Sequence, residues 1–408
     1  MIANRLSGGL GWILRRRRAR RNKAEYHRAF LEVLEPRLAL SATLSPLADV
    51  NLLAGAPLNV AVHANDQNGE ILYYDVSSSN PDVTPTLLDP YYNRSVRISV
   101  NYTGNPSTTS DDFSGDMVFQ LFEEWAPNTT SRFTDLIDAG GQDGTPFYDG
   151  LTFHRIIQDF MIQGGDPSGD GTGGSGVKFD DEFASELQFT SSGILAMANS
   201  GSDTSDSQFF ITSAPYRFGD FRYTIFGFLT SGDNVRQKIA AVPVDSNDKP
   251  LYSVQITSAS VEIDDLDRVL HLSAPAGTTG SSTITVKAMT VTGDGHEQVV
   301  ASQSFNVTVQ ADTNNNRPFL DATEPLLDGD DNPVESIDVV AGSQATFKIN
   351  ALDEESDAIY YGVTVDPSTT GITASVDSST GVGTLTATSG AVGVKAVAIG
   401  VRKPTVDT

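Results

Sequence analysis

The sequence predicts a mainly β protein in which a closed barrel, capped by helices, lies between β-sandwich modules. Two patterns support this fold class. Short stretches of alternating apolar residues, separated by Asn/Asp/Gly turns, occur before residue 111 and again after residue 263. Between them aromatic residues concentrate, and many short strands are combined with only one or two helical patterns. A chain of 408 residues that is 39% hydrophobic is long enough to form several cores.

Residues 1–44 are predicted to be a targeting segment. They carry a net charge of +7, while the rest of the chain carries −32. Because the residues after 44 are strongly acidic, they repel nucleic acids and anionic membranes. Nucleic-acid binding is therefore not expected, despite the arginine-rich run Arg15–Arg21. No run of 18 apolar residues occurs, so no membrane-spanning helix is expected. The absence of cysteine excludes thiol catalysis, thiolate zinc sites and disulfides.

The remaining chain is predicted to contain one interrupted module and one complete module around the barrel. Residues 45–110, which include "SVRISVNY", and residues 264–312 are each short for a sandwich, so they are interpreted as two parts of one domain. Residues 111–263 form the barrel, and residues 313–408 form a second sandwich-like module.

Inside the barrel region, residues 117–122 are predicted to form a strand that is followed by a helix. Thr129 or Thr130 is expected to cap this helix and Gly140 to end it. Three residues, Phe133, Leu136 and Ile137, are expected to face inward. Further strands are predicted at 151–157, 160–164, 194–198, 208–212, 224–228 and 254–263.

Conventional catalytic sites do not fit this region. His154 is the only histidine between residues 64 and 270, and neither a serine nucleophile motif nor a set of zinc ligands accompanies it. The string "GDGTGG" at 169–174 matches a dinucleotide-binding pattern in form only, because it does not open a helix after a strand. It is interpreted as a flexible glycine loop beside a groove.

Strand alternation instead predicts a peptide-binding groove. Phe153, Arg155 and Ile157 are expected to lie on one face of the first strand. Met161 and Gln163 are expected to lie on one face of the next strand. One cation, one amide and an apolar floor suit an extended peptide with a proline ring better than a metal or a phosphate.

The ordered motifs of this region resemble those of the cyclophilin-type peptidyl-prolyl cis-trans isomerases. The similarity extends over about 117–263 and implies an eight-stranded β-barrel with two capping helices. It also implies isomerase activity on proline-containing peptides or unfolded proteins, without a cofactor. The motifs are "FHRIIQDFMIQGGD", "GTGG", "FDDEF", "GILAMANSGSDTSDSQFFIT" and "YTIFG".

The resemblance implies a role for each matching residue. Four residues would be catalytic: Arg155, Phe160, Gln163 and Asn199. Eight residues would bind the substrate: His154, Met161, Ala198, Ser200, Gln208, Phe210, Phe218 and Tyr223.

Three positions depart from the common family pattern. Phe218 stands where many members have Trp, and Tyr223 stands where His is usual. Gly219 replaces a usual Leu and is expected to remove one wall of the proline pocket. An inactive scaffold with the cyclophilin fold is therefore one alternative. A second is an adhesion or structural surface protein whose barrel only binds Pro-containing segments.

The flanking sequences suggest an exported protein. "LEVLEPRLALSA" at 31–42 resembles the LEPR-type N-terminal motif of exported planctomycete proteins, although an amphipathic helix that is stopped by Pro36 is the alternative. The stretch "ADTNNNRPFL" at 311–320 resembles the linker of cadherin-like repeats, and "ALDEES" at 351–356 and "HANDQNG" at 63–69 resemble their acidic loops. This resemblance implies a cell-surface or extracellular location with surface or matrix partners. The calcium candidates are Asp312, Asn314, Asp353 and Glu355, but the same residue types are also typical of solvated turns.

Overall fold

The computed structural model describes most of the chain outside its N-terminal segment. The arginine run, the LEPR-like motif, Gly140 and Glu355 lie outside the described residues. The described ranges are 42–66, 72–106, 111–138, 146–291, 295–320, 326–330, 332–334, 336–353, 356–365 and 369–403.

Within these ranges the chain is built from β-strands and two α-helices. The strands before residue 263 are β1 (Thr43–Leu44), β2 (Val50–Ala54), β3 (Leu58–Asn65), β4 (Tyr73–Ser78), β5 (Thr84–Leu87), β6 (Ser95–Tyr102), β7 (Phe113–Leu121), β8 (Arg155–Ile157), β9 (Met161–Gly164), β10 (Ile194–Met197), β11 (Phe209–Thr212), β12 (Ile225–Ser231) and β13 (Val254–Glu262). Those after it are β14 (Asp267–Ser273), β15 (Gly280–Val291), β16 (Glu297–Ala311), β17 (Phe319–Leu320), β18 (Leu326–Asp328), β19 (Gln344–Ile349), β20 (Ala351–Leu352), β21 (Tyr360–Val365), β22 (Ile372–Val376), β23 (Val382–Ala387) and β24 (Val397–Arg402). The helices are α1 (Pro127–Asp138) and α2 (Asp233–Ala240).

Eight antiparallel strands form the central sheet, in the order β13-β6-β7-β12-β10-β11-β9-β8. The backbone just before β8 returns to β13, because Phe153 N–H donates to Val254 O at 3.0 Å and Ile256 N–H donates to Leu151 O at 2.8 Å. These hydrogen bonds join the two ends of the sheet. Its enclosed core is apolar and includes Phe119, Ile162 and Phe209.

Strand β6 belongs to this central sheet, which corrects the expectation that "SVRISVNY" forms part of a sandwich. It pairs with β7 on one side and with β13 on the other. The alternation of apolar residues predicted the strand itself. It does not predict the partner, since a half-buried strand looks the same in a barrel and in a sandwich.

Helix α1 is capped by a residue that is distant in sequence. The Glu182 carboxylate accepts the backbone N–H of Asn128 at 3.0 Å and of Thr129 at 2.6 Å. An acidic group at this end also interacts favourably with the helix dipole. The expected caps act differently: Thr129 donates its hydroxyl to Glu182, and Thr130 donates its hydroxyl to the carbonyl of Ala126, the residue just before the helix.

Strands from both sides of the barrel share two four-stranded sheets, β1-β3-β14-β5 and β2-β16-β15-β4. Val60 of β3 pairs with Leu270 of β14, and Val76 of β4 pairs with Val286 of β15. One buried apolar cluster extends from residue 42 to residue 309 across these strands. The barrel contacts this cluster's strands through buried Gln120, whose Oε1 accepts the N–H of Val269 at 2.7 Å.

The described residues after 319 form smaller sheets, of which β18-β19-β23-β22 is the largest. Their core is small and is centred on Phe347, Ile349 and Leu385. In the described part of the chain, none of the helices is long and apolar enough to cross a membrane.

Candidate active site

A tight hairpin places Arg155 opposite Gln163. Strands β8 and β9 pair so that Arg155 faces Gln163 and Ile157 faces Met161. The Arg155 side chain is 45% exposed, and its Nη2 lies 3.7 Å from Asp248 Oδ2. This distance is too long for a tight ion pair, so the guanidinium remains available to a bound peptide.

Two glutamines connect this hairpin to the neighbouring strand and to the glycine loop. Gln163 Nε2 donates to Gln208 Oε1 at 2.9 Å. Gln208 in turn donates to the backbone carbonyl of Gly173 at 2.7 Å. This chain of hydrogen bonds orients both amides, as expected for a site whose polar groups are set before a substrate binds.

The glycine loop is held by buried Asp166. Its carboxylate accepts the backbone N–H groups of Ser168 at 2.8 Å, Asp170 at 3.0 Å and Gly171 at 2.5 Å. Gly171 has a φ of +90°, which favours glycine. The loop that we expected to be flexible is therefore anchored beside Gln208.

The apolar residues expected in the proline pocket lie in one cluster on the outer face of the sheet. Met161 and Phe210 are buried, and Phe160 and Tyr223 are half-buried beside them. The rings of Phe210 and Tyr223 lie edge to face with centroids 5.5 Å apart. Ala198 belongs to the same cluster.

Tyr216 occupies the space that a side chain at position 219 would fill. A β-carbon built on Gly219 would lie 2.6 Å from Tyr216 Cδ1. The Tyr216 ring also packs against Phe160, with centroids 4.5 Å apart. The expected loss of a pocket wall at Gly219 is therefore wrong, because another aromatic ring fills the same space. Position 216 carries no motif residue, so sequence reasoning did not single it out.

Phe218 projects from the same loop and is 66% exposed. The Arg222 guanidinium lies over its ring, 4.4 Å from the centroid. A cation in this position interacts favourably with the face of the ring and restrains Phe218.

The strip 198–200 lies on the other side of the pocket. Asn199 donates its side-chain amide to Arg222 O at 2.8 Å. Ala198 N–H donates to Gln208 O, and Ser200 N–H donates to Thr204 Oγ1 at 2.8 Å. Among the described residues no hydrogen bond reaches the backbone N–H or C=O of Asn199, so both groups are available to a substrate backbone.

Phe153 does not share the face of Arg155, which corrects the alternation argument. The regular strand begins only at Arg155, and Phe153 points into the barrel core, where it contacts Phe209 edge to face. His154 is also buried, and within the described structure its ring nitrogens make no hydrogen bond. Burial lowers the pKa of His154, although the nearby Asp166 carboxylate opposes this shift. Arg155, and not His154, is thus the cation of the groove.

The calcium candidates do not form a metal site in the described residues, where no group of three or more acidic or histidine side chains is arranged to hold a metal ion. Asp312 instead pairs with Arg217 at 2.7 Å, and Asp353 lies 3.5 Å from Lys403 Nζ. Asn314 donates its side-chain amide to Asn316.

The sequence profile described as "Cyclophilin type peptidyl-prolyl cis-trans isomerase/CLD" matches residues 107–261. Peptidyl-prolyl cis-trans isomerase ppi1 of Schizosaccharomyces pombe is 45% identical over 148 residues, which cover 36% of this chain and 92% of that protein. Probable peptidyl-prolyl cis-trans isomerase A of Mycobacterium leprae is 44% identical over 168 residues, covering 38% of this chain and 92% of that protein. A crystal structure of a cyclophilin-type isomerase from Cryptosporidium parvum is 34% identical and covers 42% of this chain and 99% of that chain, with a TM-score of 0.37. The chain belongs, through this central region, to the cyclophilin-type peptidyl-prolyl cis-trans isomerase family.

Proposed function

We propose that the chain catalyses cis-trans isomerisation of X–Pro bonds in peptides or proteins, with Arg155 as the catalytic residue. Its family membership supports peptidyl-prolyl cis-trans isomerase activity. The observation that carries the assignment of roles is the exposed guanidinium of Arg155, which lies opposite an oriented Gln163 and beside the apolar cluster that contains Phe160.

This arrangement can lower the barrier without a nucleophile or an acid–base pair. Resonance makes the amide planar and gives it a rotational barrier of about 18–20 kcal/mol. In the twisted transition state the prolyl nitrogen recovers its lone pair. A hydrogen bond from Arg155 to that nitrogen stabilises the twisted state more than either planar state, and this difference increases the rate. Arginine suits the role because it stays charged and its donors are rigidly oriented.

The apolar cluster and the strip 198–200 supply the remaining requirements. Phe160, Met161 and Phe210 would hold the proline ring, while the backbone N–H and C=O of Asn199 would bind the substrate backbone. When the proline ring and one side of the X–Pro amide are held, the other side of the amide can rotate about the C–N bond. Phe218 and Tyr223, which lie on one loop, would form the wall of the pocket on that side.

The test is a protease-coupled isomerisation assay on an X–Pro peptide with Arg155→Ala. Loss of a donor that acts in the transition state is expected to lower kcat/KM by about 10²–10³-fold. Arg97→Ala is the matched control, because Arg97 is a barrel arginine that is 36% exposed and has acidic partners of its own. Equal rates for the wild type and Arg155→Ala would refute the assignment.

The alternative is a surface adhesion protein whose barrel binds Pro-containing segments without catalysis. The two groups of flanking strands, which make up a large part of the chain, favour it. It predicts peptide-induced NMR shifts without faster cis-trans exchange. Accelerated exchange at substoichiometric protein would eliminate this alternative.

We further propose an exported protein that assists folding at the cell surface or outside the cell. The LEPR-like motif at 31–42 and the strongly acidic body support export. The two sheets shared by strands from before and after the barrel support an insertion of the isomerase into one sandwich module. Fusing residues 1–44 to a reporter tests export, and retention of the reporter in the cytoplasm would contradict it.

A further inference from the structure

The segment that leads to the C-terminal strands runs along the loop that bounds the proline pocket. We call residues 312–319 the linker segment and residues 216–223 the groove loop. The family profile ends at residue 261, so the linker segment lies outside the part of the chain that resembles other isomerases. Two contacts join the two segments, and one electrostatic interaction opposes them.

The first contact is a partly buried ion pair. Arg217 Nη2 lies 2.7 Å from Asp312 Oδ2, and both side chains are only 15% exposed. Arg217 also pairs with Asp220 at 3.0 Å, within the groove loop itself. Replacing Asp312 would therefore break the ion pair between the two segments, while Asp220 would still compensate the charge of Arg217.

The second contact is an aromatic stack. The rings of Phe221 and Phe319 are nearly parallel, with centroids 4.0 Å apart, and both residues are buried. Phe221 has a φ of +53°, a left-handed conformation that is unfavourable for a bulky side chain. Such a conformation persists only when the surroundings enforce it. Phe319 supplies part of that enforcement from outside the barrel.

A third interaction is electrostatic and is unfavourable between the two segments. Burial and the like charge of Arg222 lower the pKa of half-buried Arg317 in the linker segment, while the charge of Asp181 raises it. Arg222 lies over the Phe218 ring, and its carbonyl accepts the side-chain amide of Asn199. The linker segment therefore contacts the groove loop at Arg217 and at Phe221, the residue before Arg222.

We propose that the linker segment is a positioning element of the isomerase, which holds the groove loop in the conformation that binds the proline-containing substrate. Asp312 and Phe319 are positioning residues, because they act through Arg217 and Phe221. The C-terminal strands are then part of the enzyme's binding machinery. This inference rests on the proposed function, since it concerns the substrate of that same groove.

The experiment measures kcat and KM separately, in the full chain, for Phe319→Ala and Asp312→Asn. In both variants KM is expected to rise about fivefold, which is at the low end of coupling between distinct sites. The turnover number kcat is expected to be retained, because Arg155 lies on β8 and not in the groove loop. A mere loss of folded protein would lower kcat and leave KM unchanged. Thr313→Ala, an exposed position in the same segment, is the matched control and is expected to behave as wild type.

Two further measurements make the result specific. Asp312→Glu keeps the carboxylate and is expected to bring KM back towards the wild-type value. Because the pair is shielded from water, added salt is expected to change KM of the wild type and of Asp312→Asn about equally. Wild-type KM in both Phe319→Ala and Asp312→Asn, with an active wild type, would overturn the positioning role and leave the isomerase assignment intact. If wild type and Arg155→Ala are equally inactive, the assignment fails instead. Peptide dissociation constants from NMR titration of the same variants then decide the positioning role.

Discussion

Adding a methyl group at Gly219 tests whether the Tyr216 ring has replaced the missing pocket wall. The new carbon would lie 2.6 Å from Tyr216 Cδ1 and 3.1 Å from Phe189 Cδ2, where ordinary carbon contacts are about 3.5–4.0 Å. Gly219 does not have a positive φ, so the backbone itself accepts alanine. Reduced entropy of the unfolded chain contributes about 0.4–1 kcal/mol of stability, whereas overpacking costs about 1–3 kcal/mol. Gly219→Ala is therefore expected to destabilise the protein by about 1–2 kcal/mol.

A double-mutant cycle with Tyr216→Ala isolates the contact. Without the Tyr216 ring only the 3.1 Å approach to Phe189 remains, so Gly219→Ala should become close to neutral, giving a coupling free energy of about 1–2 kcal/mol. Urea unfolding followed by the fluorescence of Trp125, which packs on the same cluster, measures all four proteins. The same destabilisation by Gly219→Ala in both backgrounds would show that the ring does not fill this space, and would refute the reasoning.

Three further predictions concern the cap, a buried histidine and the glutamine pair. Glu182→Ala leaves two N–H groups of the first turn of α1 without their acceptor and should cost about 1–3 kcal/mol in urea unfolding, whereas Glu186→Ala should cost little. Burial lowers the pKa of His271 to about 4 from 6.5, so the stability that its neutral form contributes is complete above pH 6.5 and is lost as the pH falls through about 4. At lower pH the loss in the free energy of unfolding approaches about 3 kcal/mol, as measured by urea unfolding across this pH range. His271→Asn should reduce this loss, whereas the exposed control His296→Asn should leave it unchanged. Gln208→Ala removes the acceptor that orients the Gln163 amide, a hydrogen bond worth about 1 kcal/mol, and should lower kcat/KM about five- to tenfold in the isomerisation assay.

Local patterns in the sequence predicted the strands and the pairing that forms the groove. Alternation placed Met161 and Gln163 on one face, and β9 has this arrangement opposite Arg155 and Ile157. Strand alternation fails at Phe153 because the chain there has not yet entered the regular strand, and sequence alone does not fix such a boundary.

Contacts between residues distant in sequence could not be predicted from local patterns. Glu182 caps a helix that begins 55 residues earlier, and Gln120 of the barrel accepts the N–H of Val269 in β14. Each depends on how separate elements pack, and neither leaves a periodic signal in the chain. The strand β6 illustrates the same limit, since its partners decide which sheet it joins.

The pairing of β3 with β14 has a consequence for synthesis. Val60 meets Leu270 only after the whole central sheet, which spans residues 95–262, has been made. Until then β3 presents an unpaired edge, which can pair with other chains. If the barrel folds first, its neighbouring ends bring β3 and β14 together without the entropy loss of closing a long flexible loop. The isomerase would thus serve as an internal template for the sheets that surround it, and a slow-folding barrel would leave those sheets open to aggregation.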